Sequence, residues 1–279
     1  MIEIKNITKV YGKKKNTFTA LKDVSLAIEE GSSVAVLGKS GSGKSTLMHA
    51  IAGLDKPQQG EVIINGEDIL RLKRKATDRF RARTMGFIFQ SFFVEGGESC
   101  YDNVSLSLET AGVPRSKRKR RIVAALEAVG LEDKIKARAK DLSGGQKQRL
   151  AIARAIAAEP QILFADEPTG NLDSATSAVV EDLLFRYVKE HGATLIIVTH
   201  DEDLAQRCQR IIRIKDGVID HDSATDKTVA SPKAKKAPTR RSAKATATTT
   251  QPKKTAKKAA SATAKAKSTT TKPTTRRAD

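Results

Sequence analysis

Nine consecutive residues, Gly38-Lys39-Ser40-Gly41-Ser42-Gly43-Lys44-Ser45-Thr46, carry the strongest chemical signal in this chain. They match the pattern G-x-x-x-x-G-K-[ST] at every fixed position. Gly38, Gly41 and Gly43 let the backbone curl until successive N–H groups point inward, as phosphate binding requires. Lys44 is placed to reach the β- and γ-phosphates of a nucleotide, and the Ser45 hydroxyl to ligate Mg²⁺. Further along, Asp166 and Glu167 follow four apolar residues, Ile162-Leu163-Phe164-Ala165. Acids so placed come to the C-terminal edge of a buried strand, where open α/β sheets bind nucleotides. Asp166 suits the metal, and Glu167 suits orienting and deprotonating an attacking water. A third segment, Leu142-Ser143-Gly144-Gly145-Gln146, offers hydroxyl, backbone N–H and helix-dipole donors as a second anion site. A plain helix cap with a glycine turn is the alternative there.

Such residues act only if strands and helices hold them in place. Ser33-Val34-Ala35-Val36-Leu37 reads as a buried parallel strand leading into the phosphate loop, and Leu47, Met48, Ile51 and Leu54 continue it as a helix. Ile2-Glu3-Ile4-Lys5 alternates apolar and charged, which predicts a half-exposed edge strand, with a turn at Tyr11-Gly12. Strand is expected over Phe18–Ile28, Glu61–Ile64, Met85–Phe89, Thr194–Thr199 and Arg210–Ile214, and helix over Ser174–His191 and Glu202–Cys208. The basic runs Leu70–Arg83 and Arg115–Arg121 read as solvated helix faces. Strands alternating with helices argue for a mostly parallel α/β sheet, ending near His221. The stretch from about 90 to 159 reads as an inserted helical subdomain.

The charge of the chain, +19 over 279 residues, is concentrated at one end. From Ser223 to Asp279 there are 16 Lys or Arg against two acids, while the other 222 residues hold 35 bases and 30 acids. Ser231–Arg277 is almost wholly Lys, Ala, Thr, Ser, Pro and Arg, so a disordered tail over 223–279 is expected behind a domain at 1–222. That tail is either an inert tether or a polycation for anionic lipid or nucleic acid, whose binding would fall steeply with salt. No apolar run approaches the roughly 20 residues that span a bilayer, and Met1–Lys5 has no signal pattern. Two cysteines, Cys100 and Cys208, make no metal or disulfide framework, in keeping with a reducing cytoplasm.

Taken together, these residues resemble the ABC-type ATPases over about residues 1–221. The phosphate loop holds Lys44, Leu142–Gln146 reads as the family signature and Asp166-Glu167 as its acidic pair. Gln90 sits where the family has its γ-phosphate-sensing glutamine, beside the Mg²⁺. Asn171-Leu172-Asp173 matches the subunit-contact loop, His200 the switch histidine, and Tyr11 the ring stacked on adenine. Phe89-Gln90-Ser91-Phe92 and Asp166-Glu167-Pro168-Thr169-Gly170-Asn171-Leu172-Asp173 look most like the lipoprotein-release, macrolide-export and cell-division subgroup. The resemblance implies a P-loop ATPase core, mostly parallel with an N-terminal antiparallel part. It also implies two copies clamping two ATP molecules head to tail, each between Lys44 of one and Ser143 of the other. Separate integral membrane permease subunits would then be the partners, with this chain peripheral at the inner face of the membrane. A soluble ATPase of the same family acting on nucleic acid or ribosomes through the tail is the alternative. The chain departs from the subgroup between Gln90 and Asn103. There Glu95-Gly96-Gly97-Glu98 stands where an apolar, Pro-containing loop is usual.

Overall fold

The computed structural model describes residues 1–13 and 16–224. In chain order the elements are β1 (Ile2–Lys13), β2 (Asn16–Ile28), β3 (Ser33–Leu37), α1 (Lys44–Ile51), β4 (Gln59–Ile64), β5 (Glu67–Asp68), α2 (Arg74–Thr84) and β6 (Met85–Phe89). They continue as α3 (Cys100–Thr110), α4 (Arg115–Ala128), α5 (Gly144–Ile156), β7 (Ile162–Asp166), α6 (Ser174–His191), β8 (Thr194–Thr199), α7 (Glu202–Gln206), β9 (Arg210–Lys215) and β10 (Val218–Asp222). Two short 3₁₀ turns lie between α4 and α5.

The principal sheet has the order β10-β9-β3-β8-β7-β6. All its pairings are parallel except the β9–β10 hairpin. Buried on both faces, β3, β7 and β8 are nearly continuous aliphatic runs. Their alternate residues divide the core in two. Val34, Val36, Phe164, Ile196 and Val198 pack with α1 and the N-terminal strands. Ala35, Leu37, Leu163, Ala165, Leu195 and Ile197 pack with α3, α4, α5 and α6. Phosphate loop and acidic pair therefore emerge side by side, at the C-terminal ends of β3 and β7, with only β8 between them.

The second sheet is antiparallel, in the order β2-β1-β4-β5. Here the expectation of an edge strand at Ile2–Lys5 is corrected, since β1 lies between β2 and β4. Ile2 and Ile4 are buried while Lys5 is exposed, so alternation reported one wet face and not the number of neighbours. The expected turn at Tyr11-Gly12 is also corrected: β1 runs on through both residues, with Tyr11 opposite Phe18 and Gly12 opposite Thr17. The basic helix α2 buries none of its side chains, as a solvated face should. Among the described residues no helix is long and apolar enough to cross a membrane. Ser223 accepts a hydrogen bond from the Ile211 N–H at 2.9 Å. The tail expected beyond it lies outside the described residues from 225 onward.

Candidate functional site

The phosphate loop leaves β3 and closes into α1 with Gly43 at φ 107°. A Cβ on Gly43 would stand 2.6 Å from the Ala20 carbonyl oxygen, so no other residue fits this close approach. The Lys44 side chain is buried, and its Nζ donates to the carbonyl oxygens of Gly38 (2.8 Å) and Lys39 (3.1 Å). The ammonium is thus held inside the loop, where an anion would meet it. Ser42 Oγ is buried with no partner among the described residues.

Ser45 Oγ donates to Asp166 Oδ1 at 3.2 Å, which joins loop and acidic pair across the sheet. Burial pushes the Asp166 carboxyl above its usual range, against the opposing pull of the Ser45 hydroxyl and the Lys44 charge. A desolvated carboxylate beside a hydroxyl is a pair of hard oxygen donors, a chemistry that fits Mg²⁺. Gln90, from the end of β6, lines the same cavity of about 740 Å³.

Glu167 adopts φ 47°, in the left-handed region that non-glycine residues avoid. Its N–H donates to the Val198 carbonyl at 2.8 Å, anchoring the bend to β8. His200 Nδ1 lies 2.9 and 3.0 Å from the two Glu167 carboxylate oxygens, and Thr199 Oγ1 donates to Oε2 at 3.4 Å. The Glu167 side chain is 17% exposed and that of His200 70%. A sheltered carboxylate is therefore steered by an imidazole that itself faces outward. Tyr11, exposed and lining the same cavity, donates its hydroxyl to Asp55 Oδ2 at 2.6 Å. The buried Lys9 ammonium bonds Asp55 and the Lys56 carbonyl and sits 5.0 Å from the Tyr11 ring centroid. Lys9 and Asp55 fix this ring, and sequence reasoning missed both because they are 46 residues apart.

Ser143, Gly144, Gly145 and Gln146 are not brought to the phosphate loop within one chain. Together with Asn171 and Asp173 they line a second cavity, of about 330 Å³. Ser143 caps α5 in a reciprocal box with Gln146: the Gln146 N–H donates to Ser143 Oγ (3.3 Å) and Gln146 Oε1 accepts from the Ser143 N–H (3.0 Å). Asp173 caps α6, accepting from the N–H of Thr176 at 2.9 Å and its hydroxyl at 2.7 Å. The Thr176 N–H, ahead of the other donors, holds the exposed Asp173 carboxyl below its usual range. A Cβ on Gly145 would come within 2.5 Å of Thr176 Cγ2, so the glycine lets the two helix starts touch.

Two ties link the halves. Gln148 Nε2, buried in α5, donates to the Pro168 carbonyl at 2.6 Å, and Asn171 Nδ2 donates to the Gln90 carbonyl at 2.9 Å. The departing loop after Gln90 is held by backbone capture. Arg154 donates to the carbonyls of Phe92 (3.2 Å) and Phe93 (2.5 Å), and Asn103 bonds both the N–H and the carbonyl of Glu95. Phe93 itself remains 64% exposed.

Residues 21–170 match the family described as ABC transporter. The chain is 42% identical over 219 residues to the lipoprotein-releasing system ATP-binding protein LolD of Syntrophus aciditrophicus, covering 78% of this chain and 98% of that protein. It is 41% identical over 223 residues to the ABC transporter ATP-binding protein YtrE of Bacillus subtilis, covering 78% and 96%. Among solved structures it resembles the dimeric ATP-binding cassette MJ0796 bound to ADP and Pi. The TM-score is 0.74 and the identity 38%, over 80% of this chain and 97% of that one.

Proposed function

The chain belongs to the ABC transporter family of ATPases, and we propose that it powers a separate membrane permease as a head-to-tail pair. The observation that carries this reading is the division of the site. The phosphate loop, Gln90, Asp166, Glu167 and His200 line one cavity, and Ser143–Gln146 with Asp173 line another. Each is half of a nucleotide site, and a twin supplies the other half by symmetry. The dimeric state of the related cassette supports the same arrangement.

In the closed pair, the loop N–H groups and Lys44 bind the triphosphate while Tyr11 stacks on the base. Ser45, Asp166 and Gln90 would hold Mg²⁺, which would supply charge neutralisation at the phosphates. Ser143 and the N–H groups at the start of α5 in the twin cover the γ-phosphate, and Asp173 sits at the contact. Water attacks the γ-phosphorus, its proton passes to Glu167, and the bond to the ADP oxygen breaks. His200 holds the Glu167 carboxylate and, being exposed, reaches the γ-phosphate. Loss of that phosphate removes what the two halves share, so hydrolysis opens the pair. The exposed Phe93, on the loop that follows Gln90, meets the permease at the inner face of the membrane.

The test mixes two inactive chains, Lys44→Ala and Ser143→Arg. Either variant alone places one defect in every composite site. A mixed pair places both defects in one site and leaves the other intact, so a random mixture regains about a quarter of wild-type turnover. A mixture as inactive as its components, with both variants folded, rejects the shared site.

A further inference from the structure

On a face not lined by the residues of either half-site, α4, the C-terminal part of α5 and α6 enclose a cavity of about 630 Å³. Its floor is aliphatic and buried, with Ala125, Val129, Ile152 and Ile156. The room exists because Ala124 and Ala128, where α4 faces the opening, are short and exposed. The rim is basic: Lys117, Arg120, Arg121 and Arg186 stand against Glu159 and Glu190. Arg121 is taken by Glu159 at 2.7 Å. Lys117, Arg120 and Arg186 are exposed and make no ion pair among the described residues. The two rings at the site, Tyr187 and His191, are stacked on each other with centroids 4.3 Å apart, and His191 Nδ1 is bonded to the Tyr187 carbonyl at 3.0 Å. Tyr187 is 93% buried by its 7% exposure, and its hydroxyl has no hydrogen-bond partner among the described residues. A buried hydroxyl left unsatisfied is costly unless something accepts its proton.

We propose that this cavity is a binding site for an amphiphilic anion, a saturated chain bearing one carboxylate or phosphate. Its size is that of a small-molecule site, and it combines an apolar floor with a charged rim. Surplus guanidinium and ammonium groups at the rim select an anionic head. Aliphatic walls, with the rings already paired, select a chain over a nucleobase. The Tyr187 hydroxyl, without a partner among the described residues and kept protonated by burial and by the charge of Glu159, is available as a donor. A chain lodged here bears on α5 and α6, whose N-termini carry Ser143 and Asp173, so occupancy would be felt at the half-site without touching it.

The experiment titrates the full chain by calorimetry with myristate below its aggregation limit, with methyl myristate, with tetradecyl phosphate and with inorganic phosphate. Ala128→Trp fills the cavity, Arg120→Glu/Arg186→Glu reverses the rim, and Tyr187→Phe removes the donor; none alters the basic residues beyond 224. Myristate and tetradecyl phosphate should bind once per chain. The ester should bind about tenfold more weakly, and the Trp and rim variants should lose saturable binding, with Tm and nucleotide affinity preserved. Inorganic phosphate binding equally well would leave the chain without a role and overturn the proposal. So would binding unaffected by Ala128→Trp, or binding only to myristate-containing vesicles and never to the monomer.

Discussion

Replacing Glu167 by Gln isolates one function of one side chain, because the amide keeps the shape and loses the base. An amide oxygen in place of Oε2 keeps the 3.0 Å contact with His200 Nδ1 and the acceptor for Thr199 Oγ1, while the 2.9 Å contact at Oε1 gives way to an NH2. What the fold loses is a charge-assisted bond exchanged for a neutral one, about 1 kcal/mol for a largely sheltered group. What catalysis loses is the proton acceptor for water, which contributes about 10²–10⁴-fold, or roughly 3–5.5 kcal/mol of barrier. The two magnitudes differ enough to be separated. Thermal unfolding should move by a few degrees, while phosphate release under saturating ATP falls by at least two decades. ATP binding is untouched, so the closed pair should accumulate, visible as a dimer in size-exclusion chromatography with ATP and Mg²⁺. Turnover within a few-fold of wild type would refute the assignment of Glu167 as base. Lost turnover with no ATP-dependent pair would refute the coupling between hydrolysis and opening.

Asp166→Asn should stabilise the nucleotide-free chain at neutral pH. Burial raises the folded-state pKa of this acid, so the wild type loses stability as pH rises from the ordinary carboxylate range through the raised value. The advantage of Asn in EDTA should therefore be present at pH 7 and vanish below about pH 4, and an Asn variant that melts lower at pH 7 would contradict it. Gly145→Ala drives a methyl into Thr176 Cγ2 at 2.5 Å and should cost about 1–3 kcal/mol in urea unfolding, largely restored by adding Thr176→Ser. Both cysteines are buried, and burial pushes the Cys208 thiol up to about 12. Neither should react with iodoacetamide at pH 8 until denaturant is added.

What was legible in the sequence was whatever is written contiguously. The phosphate loop, the Ser143 helix start and the acidic pair each carry their chemistry in fewer than ten residues, and α6 announced both ends. Asp173 caps it and Gly192, at φ 64°, stops it, so the expected 174–191 helix has the observed bounds. Long-range partners left no local mark. Gln148 looks like any polar helix residue, yet it is fully buried because the Pro168 carbonyl lies against it. Lys9 looks like a surface lysine, yet Asp55 and Lys56 draw it under Tyr11. The turn read at Tyr11-Gly12 failed for a related reason. Gly12 does take φ 93°, but to admit the Asn16 carbonyl of the neighbouring strand and not to reverse the chain.

The bend at Glu167 would let two adjacent acids serve the different steps proposed for them. Successive side chains of a strand point to opposite faces, so a β7 extended by one residue would send Glu167 away from the cavity that Asp166 enters. The positive φ breaks that alternation, and the N–H bond to Val198 fixes the break to the neighbouring strand. Such a conformation costs a non-glycine residue about 1–3 kcal/mol. Glycine would adopt it freely but carries no carboxylate, so strain is retained where the proposed base stands. The same turn hands Gly170 to Gln90, whose Nε2 leaves only 2.9 Å for a Cβ there, and then delivers Asp173 to the start of α6. On the proposed reading, seven residues lead from the metal ligand Asp166 to Asp173 at the contact with the twin.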